Sequence, residues 1–146
     1  MAISKMRAVV ESIKGLEAKA TVRDFEMTMD EPKSLGGTNT GMNPVEAMLS
    51  AVGGCKVIVA KSFARAHKIN LNAIKITVTG DLDTDGFTGK NPDAKIGLMN
   101  LHTQYEIDAD NTKEEIEAFA DFIDATCPVM DTIVNTPNIS RDIEMI

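Results

Sequence analysis

Two stretches near the start of the chain alternate apolar and polar residues with the period of a β-strand. Residues 6–14 and 18–30 are predicted to form strands joined by a tight turn. The second stretch has one apolar face, formed by Phe25, Met27 and Met29. Arg23 falls on that face, either as an arginine that snorkels to solvent where the strand begins or as an inward-pointing cation near a reactive group.

Helical and strand patterns alternate along the rest of the chain. A Gly-, Pro- and Asn-rich loop over residues 30–44 precedes the first helix. The second helix begins at Asn111 or Thr112 as N-cap. The remaining predicted elements are a helix from Pro44 to about Lys68, strands over residues 73–80 and 95–108, a bulge near Met99-Asn100, and a last strand in NISRDIEMI. The order β-β-α-β-β-α-β with short strand connections predicts an antiparallel α+β fold.

Composition and charge narrow the function classes. At 146 residues with 43% hydrophobic content, we expect one domain over residues 1–146. The net charge of −7 and the lack of a basic cluster disfavour nucleic-acid binding. With no long apolar run and no apolar stretch typical of a signal peptide, we expect a cytoplasmic protein that is not inserted in a membrane.

The sequence does not predict a metal or cofactor site. The two cysteines and two histidines lack the short spacings of a zinc site. The acidic segment DLDTDGFTGKNPD lacks the glutamate that closes an EF-hand loop, and its flanks resemble strands. We interpret it as a solvated hairpin loop.

Cys55 and Cys127 carry the candidate chemistry. Cys55 shares an apolar helix face with Val52, Ile58 and Val59, so it is either a small buried hydrophobe or an enclosed reactive thiol. Gly53 and Gly54 precede it, and two mid-helix glycines cost about 1 kcal/mol each, which suggests that another backbone or a substrate comes close there.

Cys127 is followed by a proline, which suits the first position of a helix. Cys127 is therefore a candidate N-cap of the turn over residues 128–134, where free N–H groups stabilise a thiolate. The alternative is that Pro128 only marks a break between two helical pieces.

These residues together resemble the OsmC/Ohr family of osmotically inducible protein C and organic hydroperoxide resistance proteins. The resemblance rests on DEP-x₃-GG-x₃-GMNP-x-E, on a helix with Gly-Gly-Cys, and on Cys-Pro-Val at residues 127–129. It implies an intertwined homodimer in which curved antiparallel sheets wrap around two central helices. It also implies two active sites at the subunit interface.

The resemblance further implies a thiol peroxidase. Cys55 would attack an organic hydroperoxide and form a sulfenic acid, which Cys127 would resolve into a disulfide. The implied reductant is a dithiol such as a lipoyl group, with no further cofactor.

One position departs from the family pattern. In the family's peroxidases, a glutamate directly after the motif proline holds an activating arginine. This chain has Val45 at that position, and its glutamate, Glu46, comes one position later. Glu46 lies on the opposite helix face from Cys55, and Asn43-Pro44-Val45-Glu46 matches a capping box. We therefore expect Glu46 to cap the helix, and Arg23 is the candidate activating arginine on the basis of its strand parity.

Three functions fit the sequence. The first is reduction of organic hydroperoxides through Cys55 and Cys127, at reduced efficiency because of Val45. The second is a non-catalytic or differently specific dimer that binds an apolar small molecule in a Met-lined interface pocket. The third is a thiol sensor that is oxidised as a signal.

Overall fold

The computed structural model describes all residues from 1 to 146 and is an α+β fold with antiparallel sheets. The chain divides into two compact units, residues 1–48 and 49–146. The prediction of one domain over residues 1–146 stays a prediction. None of the helices has the length and apolar character needed to cross a bilayer.

The first unit contains a three-stranded antiparallel sheet in the order β1-β2-β3. Its strands are β1 (Val9–Ser12), β2 (Ala18–Val22) and β3 (Phe25–Met29). The strand predicted over residues 18–30 is therefore two strands, and that prediction was wrong. A two-residue turn separates them, because Val22 pairs with Phe25 and Arg23 adopts the left-handed backbone region at φ 54°.

A loop held by hydrogen bonds follows β3 and leads to the first helix. The buried Asp30 carboxylate accepts hydrogen bonds from the backbone N–H and the hydroxyl of both Thr38 and Thr40. Glycine is required twice in this loop, because a Cβ at Gly37 or Gly41 would overlap a neighbouring backbone carbonyl oxygen. The breaker-rich sequence thus encodes an ordered turn around one carboxylate.

The second unit contains most of the helical residues and a two-stranded antiparallel sheet. The long helix α1 (Pro44–Phe63) begins in the first unit and continues into the second. The elements that follow are β4 (Leu71–Asp81), α2 (Thr84–Phe87), β5 (Asn100–Ala109), α3 (Lys113–Thr126) and α4 (Pro128–Val134). Thr112 is the N-cap of α3 and forms a capping box with Glu115.

Two sequence predictions fail in the second unit, and a third gains a detail. The strand β5 starts at Asn100, so there is no bulge near Met99-Asn100, and the register irregularity lies instead between Leu71 and Ala73 of β4. The acidic segment connects the antiparallel strands β4 and β5, as predicted for a hairpin loop, and contains the short helix α2, capped by Asp83. Residues 135–146 form no strand, because no neighbouring strand pairs with them within this chain.

The core of the second unit forms where α1 and α3 pack with the sheet. Its buried residues are Val59, Ala60, Ala64, Ile69, Phe119 and Ile123. Gly53 lets α1 approach β4, since a Cβ there would lie 3.3 Å from a methyl group of Val78. The inner faces of β4 and β5 supply Ile74 and Tyr105 to this core, and Cys55 packs against its edge.

Candidate active site

The fold brings the two cysteines together although they are far apart in the sequence. Cys55 lies in α1 and is half-buried, and Cys127 lies between α3 and α4 and is 1% exposed. Both are free thiols. The Cys55 and Cys127 thiols are hydrogen-bonded to each other, and the Val129 N–H donates to the Cys55 sulfur. The inward placement predicted for Cys55 is therefore only partial, and Ile58 on the same predicted face is 66% exposed.

Cys127 is the N-cap of α4, which is one of the two interpretations that the sequence left open. Its Sγ accepts the Met130 N–H at 3.4 Å, and Pro128 occupies the first turn of the helix. The alternative, that Pro128 only marks a break, is wrong, although α3 does end at Thr126 and a second helical piece begins at Pro128. The kink places the backbone N–H groups that follow Cys127 beside both sulfur atoms.

Several groups act on the ionisation of Cys55. Burial raises the pKa of the Cys55 thiol above its ordinary value, because a thiolate is poorly solvated there. The Val129 N–H opposes this by donating to the sulfur. Cys127 raises the pKa further, and the charge of Lys56 lowers it. The resting thiol is therefore mostly protonated near neutral pH, and its reactivity depends on a minor thiolate fraction.

Lys56, next to Cys55, is a buried cation that the sequence analysis missed. Its side chain is 3% exposed, and its Nζ lies 2.6 Å from Asp124 Oδ1. The same Nζ donates to Thr103 Oγ1 at 2.9 Å. A signal was available, because Lys56 lies one helical turn from the apolar residues Val52 and Ala60 on the face that the core covers.

Tyr105 completes this polar group. Its hydroxyl donates to Asp124 Oδ1 at 2.6 Å, and Lys56 Nζ lies 5.5 Å from the centre of its ring. Burial and then the Asp124 carboxylate raise the pKa of Tyr105, so it stays a neutral hydrogen-bond donor. Lys56 and the half-buried Tyr105 therefore share one carboxylate oxygen on α3.

Glu46 caps helix α1, as the sequence predicts. The Asn43 side-chain oxygen accepts the Glu46 N–H at 2.9 Å, and Glu46 Oε2 accepts the Asn43 N–H at 2.8 Å. This reciprocal pair is a capping box with asparagine as the cap. Val45, where family peroxidases have their glutamate, is half-buried beside it.

Arg23 lies in the turn between β2 and β3 and is exposed. Its guanidinium lies 5.0 Å from the centre of the Phe25 ring. The inference from strand parity that Arg23 points inward is wrong, because β2 ends at Val22. Its role as the activating cation stays a prediction.

Comparison with known proteins places the chain in a family. Residues 37–141 match the sequence pattern of the OsmC family, which is described as OsmC-like protein. This range includes both cysteines and excludes Arg23. The chain belongs to the OsmC-like protein family. This OsmC-like chain is 32% identical over 124 residues to a hydroperoxide reductase of Mycoplasma genitalium, covering 84% of this chain and 82% of that protein.

Two further comparisons agree with this assignment. A hydroperoxide reductase of Mycoplasma pneumoniae is 30% identical over 123 residues, which cover 83% of this OsmC-like chain and 81% of the relative. The crystal structure of an OsmC-like protein from the same organism has a TM-score of 0.77 and 28% identity. The match covers 91% of this chain and 89% of that one. The predicted α+β fold of OsmC type is confirmed.

Proposed function

We propose that this OsmC-like protein is a thiol peroxidase that reduces organic hydroperoxides. The observation that carries the proposal is the contact between the Cys55 and Cys127 thiols at the kink between α3 and α4. The names of the two hydroperoxide reductases to which it is similar support the same chemistry.

The proposed reaction runs in two steps on this chain. The Cys55 thiolate attacks one oxygen of the peroxide, the O–O bond breaks, and the other oxygen takes a proton and leaves as an alcohol. Cys55 is then a sulfenic acid. The Cys127 sulfur attacks the Cys55 sulfur, water leaves, and a disulfide forms. An external dithiol reduces this disulfide by thiol–disulfide exchange and is itself oxidised, and no other cofactor takes part.

The backbone after Cys127 supports both steps. The Val129 N–H that donates to the Cys55 sulfur favours the attacking thiolate over the thiol. The Met130 N–H does the same for the Cys127 sulfur. We further propose a cytoplasmic location, because a reducing compartment keeps such adjacent thiols free between turnovers.

A second candidate is an OsmC-like protein that binds an apolar molecule without turnover. The raised pKa of Cys55 and the use of Glu46 as a helix cap favour it, since both reduce the supply of thiolate. A thiol sensor is the third candidate and would be oxidised once without efficient turnover.

The deciding experiment counts free thiols and measures intact mass before and after one equivalent of cumene hydroperoxide. We expect the wild type to lose both thiols and two mass units, about the change for one disulfide, and a dithiol to restore them. Cys127→Ser should stop at a Cys55 sulfenic acid that dimedone traps, and Cys55→Ser should not react. Survival of both thiols in the wild type would contradict the peroxidase and favour the binding protein. Oxidation without repeated turnover in the presence of dithiol would favour the sensor.

A further inference from the structure

Lys56 is buried to a degree that is rare for lysine, which makes its position informative. A buried ammonium is costly unless an anion and hydrogen-bond acceptors compensate it. Here Asp124 supplies the anion at 2.6 Å, and Thr103 supplies a neutral acceptor at 2.9 Å. The cation is thus fixed in place by Asp124 and Thr103.

The members of this ion pair are attached to the same elements as the two cysteines. Lys56 directly follows Cys55 on α1. Asp124 precedes Cys127 by three positions and so lies one turn before it at the end of α3. The ion pair is therefore joined through these two helices to the backbone that carries both thiols.

The two charges of the pair differ in their exposure to solvent. The Lys56 side chain is 3% exposed, whereas the Asp124 side chain is 50% exposed. Water screens the carboxylate more strongly than it screens the ammonium. At the partly enclosed Cys55, the pair therefore has a net positive potential, although its formal charge is zero.

We propose that the Lys56–Asp124 pair is a positioning element that favours ionisation of Cys55 against the opposing effect of burial, with Lys56 supplying the stabilising positive charge and Asp124 holding it in place. This proposal rests on the proposed function, in which the Cys55 thiolate is the nucleophile. The titratable groups around the Cys55 thiol and the ion pair are Cys127 at the end of α3, Lys56 on α1, Asp124 on α3 and Tyr105 on β5. Tyr105 contributes by donating to Asp124, which keeps that carboxylate in its ion-pairing position.

The test follows alkylation of Cys55 by iodoacetamide as a function of pH in a Cys127→Ser background. Only the thiolate is alkylated, so the rate reports ionisation without requiring peroxide turnover. Lys56→Met keeps the length of the side chain and removes its charge. We expect its alkylation rate near pH 7 to fall about tenfold. Lys56→Arg keeps the charge, and we expect its rate to stay within about threefold of the parent.

Asp124→Asn should change the alkylation rate of Cys55 in the opposite direction to Lys56→Met. It removes the negative charge that offsets Lys56 and keeps an acceptor oxygen, so we expect alkylation of Cys55 near pH 7 to become faster. Lys75→Met is the matched control, because Lys75 forms an exposed ion pair with Glu106 on the same sheet. We expect the control to leave the rate unchanged.

Two outcomes would overturn the proposal. Equal rates for Lys56→Met and Lys56→Arg would show that the charge is irrelevant, and slowing by both Lys56→Met and Asp124→Asn would show a purely structural role. Circular dichroism and thermal unfolding check that each variant folds. If Lys56→Met does not fold, Asp124→Asn still decides, because the proposal requires it to alkylate faster than the parent while Lys56→Arg stays within about threefold.

The failure of this proposal is distinguishable from failure of the proposed function. A wild type that forms the disulfide with peroxide while Lys56→Met alkylates normally would leave the peroxidase standing and remove the role of Lys56. A wild type that does not react with peroxide, together with slow alkylation of Lys56→Met, would remove the peroxidase and keep the role of Lys56 in the ionisation of Cys55.

Discussion

At the scale of single residues, the chain concentrates its buried charge at two places. In the first unit Asp30 is enclosed by hydrogen-bond donors from Thr38, Thr40 and Glu31. In the second unit Lys56 is enclosed with Asp124. The first charge orders a loop, and the second lies beside the thiols, so we expect their substitutions to have different readouts.

Asp30→Asn tests the role of the first charge. Hydrogen bonds from Thr38 hold the pKa of Asp30 well below its usual range, so the ionised form stabilises the fold above the unfolded pKa of about 3.9. That stabilisation is lost as the pH falls toward the folded pKa. We expect Asp30→Asn to lower the midpoint of thermal unfolding at neutral pH by roughly 5 °C or more.

The pH dependence provides the check on this interpretation. The difference between wild type and Asp30→Asn should shrink as the pH is lowered from 6 to 2, because the wild-type carboxylate then loses its advantage. Asp121→Asn, which changes an exposed carboxylate on α3, is the control and should have little effect. A gap between wild type and Asp30→Asn that stays constant with pH would contradict the assignment.

At the scale of elements, α1 is the part of the chain on which most constraints meet. Its start is fixed by the Asn43–Glu46 capping box, and its middle carries Gly53, Gly54 and Cys55. The two glycines have different surroundings. Gly53 faces Val78 of β4, whereas a Cβ at Gly54 would meet nothing within 4 Å in this chain. Only the first glycine is explained by packing within one chain.

Alanine substitutions separate the two glycines. Gly54→Ala should raise the free energy of unfolding by up to about 1 kcal/mol, because alanine restricts the unfolded chain and favours helix. Gly53→Ala should gain less or become destabilising, since its Cβ would lie 3.3 Å from the Val78 methyl group. Urea unfolding of both variants measures the difference. A Gly54→Ala variant that is less stable than Gly53→Ala would indicate that another surface packs on Gly54.

At the scale of the whole molecule, each unit exposes apolar side chains that a monomer would rarely leave in water. In the first unit Phe25 is 65% exposed and Val10 is 55% exposed. In the second unit Ile58 on α1 is 66% exposed. Exposed apolar surface of this kind marks interaction sites. It supports the proposal, first drawn from the family resemblance, that the protein is a homodimer.

Light scattering after gel filtration tests the homodimer. We expect a mass about twice the 15.8 kDa of one chain. Phe25→Glu should shift the population toward monomer, because it introduces a charge into the proposed apolar interface. Glu26→Gln, on the other face of β3, is the control and should stay dimeric. A wild type that is monomeric at all concentrations would contradict the proposal.

The local features of this protein were determined by its sequence. The Asn43–Glu46 capping box, the start of α3 at Thr112 and the alternation of β4 each depend on residues a few positions apart, so the pattern sufficed to predict them. The cap at Cys127 was one of two interpretations that the pattern left open. The Gly-rich loop was predicted as a loop, but its ordering around Asp30 was not visible.

The tertiary structure decided what depends on distant contacts. The meeting of Cys55 with Cys127 was expected only from the family resemblance, and the burial of Lys56 against Asp124 was not expected. The break of the strand at Arg23 and the absence of a last strand also escaped the pattern. Period and propensity describe a segment on its own, whereas the partner that satisfies a buried charge, a thiol or a strand edge is supplied by another segment.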